Sequence, residues 1–183
     1  MNVSTRRVVA WLVDWGCIVV WAAATAVVGV SLLLAGVIAT TNPFAQNVTG
    51  AVVVIVPVVV AAAWCESRPV GATPGKRLMG LVVLTNSRRV PFRLALLRNF
   101  LKLGVPWLIG HAAVYAIVTS SNVNHDVPAA VWVLTGFAYL IPIVWIVSLF
   151  VGDGRTPYDR ICGTNVGRRC GLPGRSLAPA ARR

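Results

Sequence analysis

The chain has 183 residues, of which 57% are hydrophobic and 12% charged, with a mean hydropathy of +0.75; a soluble domain carries roughly a quarter charged residues. That excludes an ordinary soluble protein, a disordered chain and a collagen-like one, and leaves a compact membrane protein with several crossings. The net charge of +12 comes from 17 Lys and Arg against 5 Asp and Glu. All the basic residues fall in three blocks: Arg6 and Arg7, Arg68 to Lys102, and Arg155 to Arg183. Ala39 to Asn47 and Thr119 to Ala130 contain none. Short loops rich in Lys and Arg stay cytoplasmic, so both termini and the middle loop are expected inside the cell membrane, with an even number of crossings. Arg outnumbers Lys 15 to 2 among apolar positions dominated by Ala and Val, as GC-rich coding also produces, so the Arg preference carries no binding inference.

Four segments can supply the crossings. The first apolar run, Val8 to Ala39, is broken only by Asp14. Its length exceeds the roughly 30 Å hydrocarbon core. Trp11 and Trp15 suit the headgroup level, which places the core of the span at about Gly16 to Ala35 and Asp14 at the interface. The second segment, about Thr49 to Cys65, carries Pro57. Between it and the third, Leu78 to Thr85 is β-prone, Asn86-Ser87 reads as a turn, and Pro91 to Leu103 reads as a basic, amphipathic helix starting at Pro91. That helix is expected to lie on an anionic leaflet before the chain turns into the bilayer.

The third segment runs from about Leu101 to Val118 and the fourth from Val131 to Val151, with Pro142 inside it. Proline removes a donor and kinks a helix, which neighbouring helices in a membrane can tolerate. After Val151 the chain is rich in turn residues, and Gly167 to Arg183 has the composition of a disordered basic tail whose contact would be anionic headgroups. The expected fold is therefore an all-α membrane protein of four transmembrane helices, residues 1–166, with a cytoplasmic β-turn and basic helix between helices 2 and 3 and a tail at 167–183.

Several patterns that resemble chemistry fail. Gly71 to Arg77 (GATPGKR) has three residues between its glycines and Arg77 after the lysine, whereas a phosphate-binding loop needs four and Ser or Thr. The apolar run continues past Gly16-Cys17, so the first helix is retained rather than cleaved. Cys17, Cys65, Cys162 and Cys170 lack zinc spacing, and reduced thiols are expected at a cytoplasmic face. No nucleophile stands with a base, so no catalytic residue, cofactor or metal is expected. His125 lies beside Asp126 as a solvated pair, while His111 falls within the third crossing with Tyr115 one turn on, an intramembrane polar pair.

Arg7 and Asp14 are two helical turns apart and share one face of the first helix. An acid there needs a cation to offset its desolvation, and Arg7, Arg98 and Arg160 are the candidate partners; Asp159 is the comparable acid after the fourth crossing.

The blocks RRVVAWLVD (Arg6 to Asp14), TPGKRLMGLVV (Thr73 to Val83), PFRLALLRN (Pro91 to Asn99) and YDRICGTNV (Tyr158 to Val166) together resemble the RDD family of small membrane proteins, named for an arginine and two aspartates. The resemblance covers Arg6 to Val166 and puts the family's arginine on Arg7 and its aspartates on Asp14 and Asp159. It also puts a Gly-Lys pair on Gly75 and Lys76 and an Arg-Asn pair on Arg98 and Asn99. Two positions depart from the family pattern: Asn86-Ser87 replaces an Asp-Gly turn, and Tyr158 replaces a histidine. The resemblance implies transport, with cation/proton exchange in some relatives.

Two readings follow. In one, a small oligomeric transporter binds a cation or proton at Asp14, tuned by Arg7 and gated by Asp159 with Arg98. In the other, Arg7, Asp14, Arg98 and Asp159 form a structural ion-pair cluster in a module that organises anionic lipid or a partner membrane protein. No nucleic-acid partner is expected in either.

Overall fold

A computed structural model describes residues 2–37, 43–122 and 126–168. Four helices are long and apolar enough to cross a membrane: Val3–Leu34, Val48–Ser67, Phe92–Ser120 and Ala129–Ser148. Helix α1 (Val3–Leu34) opens on Asn2, whose side chain accepts from the Thr5 N–H at 2.8 Å, the role of an N-cap. It closes with Gly36 at φ +70, where the Gly36 N–H reaches Leu33 O and the Val37 N–H reaches Leu32 O, the paired bonds of a Schellman cap. Helix α2 (Pro43–Ser67) carries Pro57.

The segment between α2 and the third span departs from an all-α fold. A five-residue helix, α3 (Pro74–Leu78), takes the first part of it, so the strand begins only at Leu81. Strand β1 (Leu81–Thr85) turns through Asn86 and Ser87, both at positive φ (47 and 61), into β2 (Arg88–Arg89). Two positive-φ residues make the tight turn whose twist suits a hairpin. After α6 (Ala129–Ser148) the chain makes a short helix, α7 (Pro157–Ile161), and then β3 (Thr164–Arg168). Strand β3 pairs antiparallel with β1, Val83 opposite Val166, in a three-stranded sheet of order β2-β1-β3. Gly167 and Arg168, expected to begin the tail, pair with Val82 and Leu81; the rest of that segment, 169–183, lies outside the described residues, as do Cys170 and His125.

The basic helix expected on the membrane surface is not a separate element. Helix α4 (Phe92–Asn99) runs through a π-helical turn (Phe100–Gly104) straight into α5 (Val105–Asn122). The Val105 N–H bonds Phe100 O, five residues back. Pro106 explains the widening. It has no N–H to give the Lys102 carbonyl and its ring crowds that group, and in membrane helices local π adjustments relieve this. Gly104 belongs to the same device, since a Cβ there would lie 2.7 Å from Phe100 Cδ2.

The dry core is at one end of the bundle. Leu81, Val83, Val90, Ala95 and Val166 pack with Ala10 of α1 and Ala63 of α2, so the sheet is seated on α1, α2 and α4. Away from it the helices turn large apolar side chains outward, among them Val19, Val27, Phe137 and Ile143, as lipid-facing surfaces do. Leu81 is fully buried. Leu81→Ala is expected to destabilise the protein by about 2–5 kcal/mol, read as a lowered thermal midpoint in detergent while the helical signal at low temperature is retained.

Candidate functional site

Beside the sheet, the ends of α1, α2 and α4 converge with α3 and α7 on one buried charge network. Arg98 is its centre and is 1% exposed. Its Nη1 donates to Glu66 Oε1 at 2.8 Å and Oε2 at 2.9 Å, while its Nε and Nη2 donate to Asp159 Oδ1 at 2.9 and 2.8 Å. Arg7 pairs with the other Asp159 oxygen and donates to Gly154 O at 2.8 Å. Lys76 pairs with Glu66, and Asn99 Nδ2 donates to Glu66 Oε2 at 2.9 Å.

Local structure aims these groups. Thr156 is the N-cap of α7, accepting from the Asp159 N–H, which fixes Asp159 in the first turn. Thr164 of β3 donates its hydroxyl to Asp159 Oδ1 at 3.2 Å, so the strand pairing holds the carboxylate from the other side. The Arg98 guanidinium lies 5.2 Å from the Tyr158 ring, which meets Trp145 edge-on. The histidine expected at position 158 in relatives is thus replaced by a ring that packs against the cation.

Burial pushes Asp159 towards the neutral form, but the charges of Arg98 and Arg7, with the hydrogen bonds from Thr156 and Arg98, outweigh it and hold the carboxyl well below the usual carboxylate range. For Lys76 burial wins over the attraction of Glu66, and the ammonium comes down to about 8.

Asp14 is not part of this network and does not pair with Arg7. Its Oδ2 accepts from Thr73 Oγ1 at 2.7 Å and its Oδ1 from the Gly75 N–H at 2.9 Å, which ties the start of α3 to α1. Gly75 is required there by contact: a Cβ would stand 2.0 Å from the Ala10 carbonyl oxygen. Arg160, the other proposed partner of Asp14, is exposed and pairs with Asp153 at 2.9 Å. The structure therefore brings Arg7, Lys76, Arg98, Asn99 and Asp159 together, sets Asp14 and Gly75 against each other nearby, and leaves Arg160 at the surface.

Glu66 was missed as a site residue. The signal was available, because an acid closing an apolar run needs a partner, and Glu66 is one of five acids in the chain. Lys102 belongs to the basic helix expected on the anionic leaflet surface, yet it is 7% exposed.

A cavity of about 680 Å³ opens beside the network, lined at the charged end by Arg7, Asp14, Lys76, Arg98 and Lys102 and along its walls by Trp11, Trp15, Trp107 and Trp145. His111 lines it too, next to Gly50 of α2, whereas Tyr115 is half-buried outside the lining. Cys17, Cys65 and Cys162 are free thiols.

The sequence profile of the RDD family matches residues 3–163, and the chain belongs to that family. No curated protein and no solved structure matches it.

Three outcomes follow. Asp159→Asn strands Arg7 and half of Arg98, a loss of about 3–5 kcal/mol for a broken buried pair, seen as reduced membrane abundance. In the parent the stabilisation from the depressed Asp159 group is complete above its ordinary pKa of about 3.9 and is lost as pH falls below it; Asp159→Asn should lack that limb of the stability profile. Gly75→Ala forces α1 and α3 apart and is expected to cost ~3 kcal/mol or more, measured as loss of thermal midpoint.

Proposed function

We propose that this RDD family member is a non-transporting module of the cell membrane, both termini cytoplasmic, that organises anionic lipid around a structural Arg/Asp/Glu network. The carrying observation is that Glu66 and Asp159 are fully buried and already matched by Arg7, Lys76 and Arg98. A transporter gate that opened by parting Asp159 from Arg98 would strand those partners at each turnover, which buried pairs do not tolerate cheaply.

The orientation is supported by charge. The network gathers Arg7, Lys76 and Arg98 at one end of the bundle, the loops at the other end carry no Lys or Arg, and short basic loops remain inside. Ser4 Oγ donating to Leu149 O at 2.6 Å puts the start of α1 beside the end of α6, at that same end. The exposed Arg88, Arg89 and Arg93 add a basic rim suited to anionic headgroups. The outward apolar faces leave room for a second copy or another membrane protein.

One observation favours cation/proton exchange instead: Asp14 lines the cavity and, among the described residues, has no cation within 4.0 Å. Lys102 on the same wall opposes it, because an added cation would enter a region of positive charge.

Proteoliposomes carrying a pH gradient separate the two. The expected result is no dissipation above empty liposomes on adding Na⁺, K⁺ or Li⁺; cation-dependent flux abolished by Asp14→Asn at matched density would replace the module with an exchanger.

A further inference from the structure

Among the charged groups that line the larger cavity or pair with those that do, there is one cation more than the carboxylates can match. Arg7, Lys76, Arg98 and Lys102 face Glu66, Asp159 and Asp14, four positive groups against three negative. Arg7, Lys76 and Arg98 each make a salt bridge. Lys102 is 7% exposed and, among the described residues, its ammonium makes no salt bridge. It sits only in the field of Asp14, Glu66, Arg98 and Asp159. Its Nζ keeps some accessible surface, and Lys102 lines the cavity, so an ammonium held largely out of water and without an anion faces that space, a disfavoured state.

Its position says what would partner it. Lys102 stands where two cavities meet, the one of about 680 Å³ and a smaller one of about 340 Å³ between α1 and α2, both bordered by Asp14 and Lys102. From Lys102 the larger follows α5 as far as Ile117, about 20 Å along the helix axis, and the smaller reaches Trp21 and Pro57. Both run away from the charged end, into the part of the bundle that faces hydrocarbon. Helix α6 packs along α5 and α1 along α3, while α1 and α6 make little contact with each other on the two sides of the larger cavity. Two tryptophans of its lining, Trp15 and Trp107, keep buried indole N–H groups with no acceptor among the described residues. Lys102 also lies in the π-helical turn, a rare element that recurs at functional sites.

We propose that Lys102 holds the monoanionic phosphodiester of a membrane phospholipid whose two acyl chains enter the two cavities. One negative charge completes the balance, two apolar arms fit two apolar channels, and a headgroup at the charged end with chains directed into the bilayer is how such a lipid already lies. A metal cation fails the charge test and inorganic phosphate leaves the channels empty. The proposal rests on the lipid-organising reading and assigns it a site.

The test is native mass spectrometry of the full chain in mild detergent, titrated with phosphatidylglycerol or phosphatidylcholine, alongside thermal midpoints with and without lipid. The parent is expected to retain one phosphatidylglycerol at least tenfold more tightly than phosphatidylcholine. Lys102→Gln should erase that preference with an equal or higher lipid-free midpoint, since it removes a largely desolvated charge that has no partner, and Lys102→Arg should keep it. Thr135→Trp, which narrows the larger cavity away from the charges, should weaken both lipids. An undiminished preference in Lys102→Gln overturns the site while leaving a surface-based lipid role standing. If that variant does not fold, unchanged binding in Thr135→Trp overturns the site equally. No preference in the parent overturns both the site and the lipid-organising reading.

Discussion

The structure turns on the sharing of one guanidinium, that of Arg98, between Glu66 at the end of α2 and Asp159 in α7. These carboxylates come from segments separated by the whole of the third and fourth spans, and their common cation ties them directly to each other. Arginine can do this because its planar fork presents donors on two edges at once, where a lysine ammonium is a single point charge. Desolvation makes the arrangement all or nothing. Buried charges survive only as a matched and hydrogen-bonded set, so Asn99, Thr156 and Thr164 are as necessary as the ions they orient.

The β1–β3 pairing has the same consequence by different means. It seats Thr164 beside Asp159 and carries the chain after α6 back across the loop between α2 and α4. Sheet and network together lock one end of a bundle whose other faces are apolar and outward. A membrane supplies no hydrophobic drive between helices, so specificity of assembly falls to polar contacts, and here they are concentrated at that one end. The locked end also defines the floor of both cavities, which is why a leftover cation there has functional meaning.

Much of the architecture was legible in the residues. Four spans follow from hydropathy, the end carrying the charge from the distribution of Lys and Arg, and the hairpin from a β-prone run followed by Asn86-Ser87. The mispairings are equally instructive. Arg7 and Asp14 share a helix face, but a shared face says nothing about which partner from another segment reaches it first. Arg7 finds Asp159, and Asp14 spends its oxygens on Thr73 and Gly75. Gly75 could be recognised as part of a motif, yet its reason, the approach of the Ala10 carbonyl, exists only when α1 and α3 are packed.

Local periodicity and charge bias are properties of contiguous residues, so spans, caps and turns could be read along the chain. The π-helical turn that carries Lys102 inward, the strand that β3 adds, and the enlistment of Glu66 depend on contacts between segments far apart in sequence. Which carboxylate takes which cation is decided by desolvation, and desolvation exists only once the segments have closed around the charges.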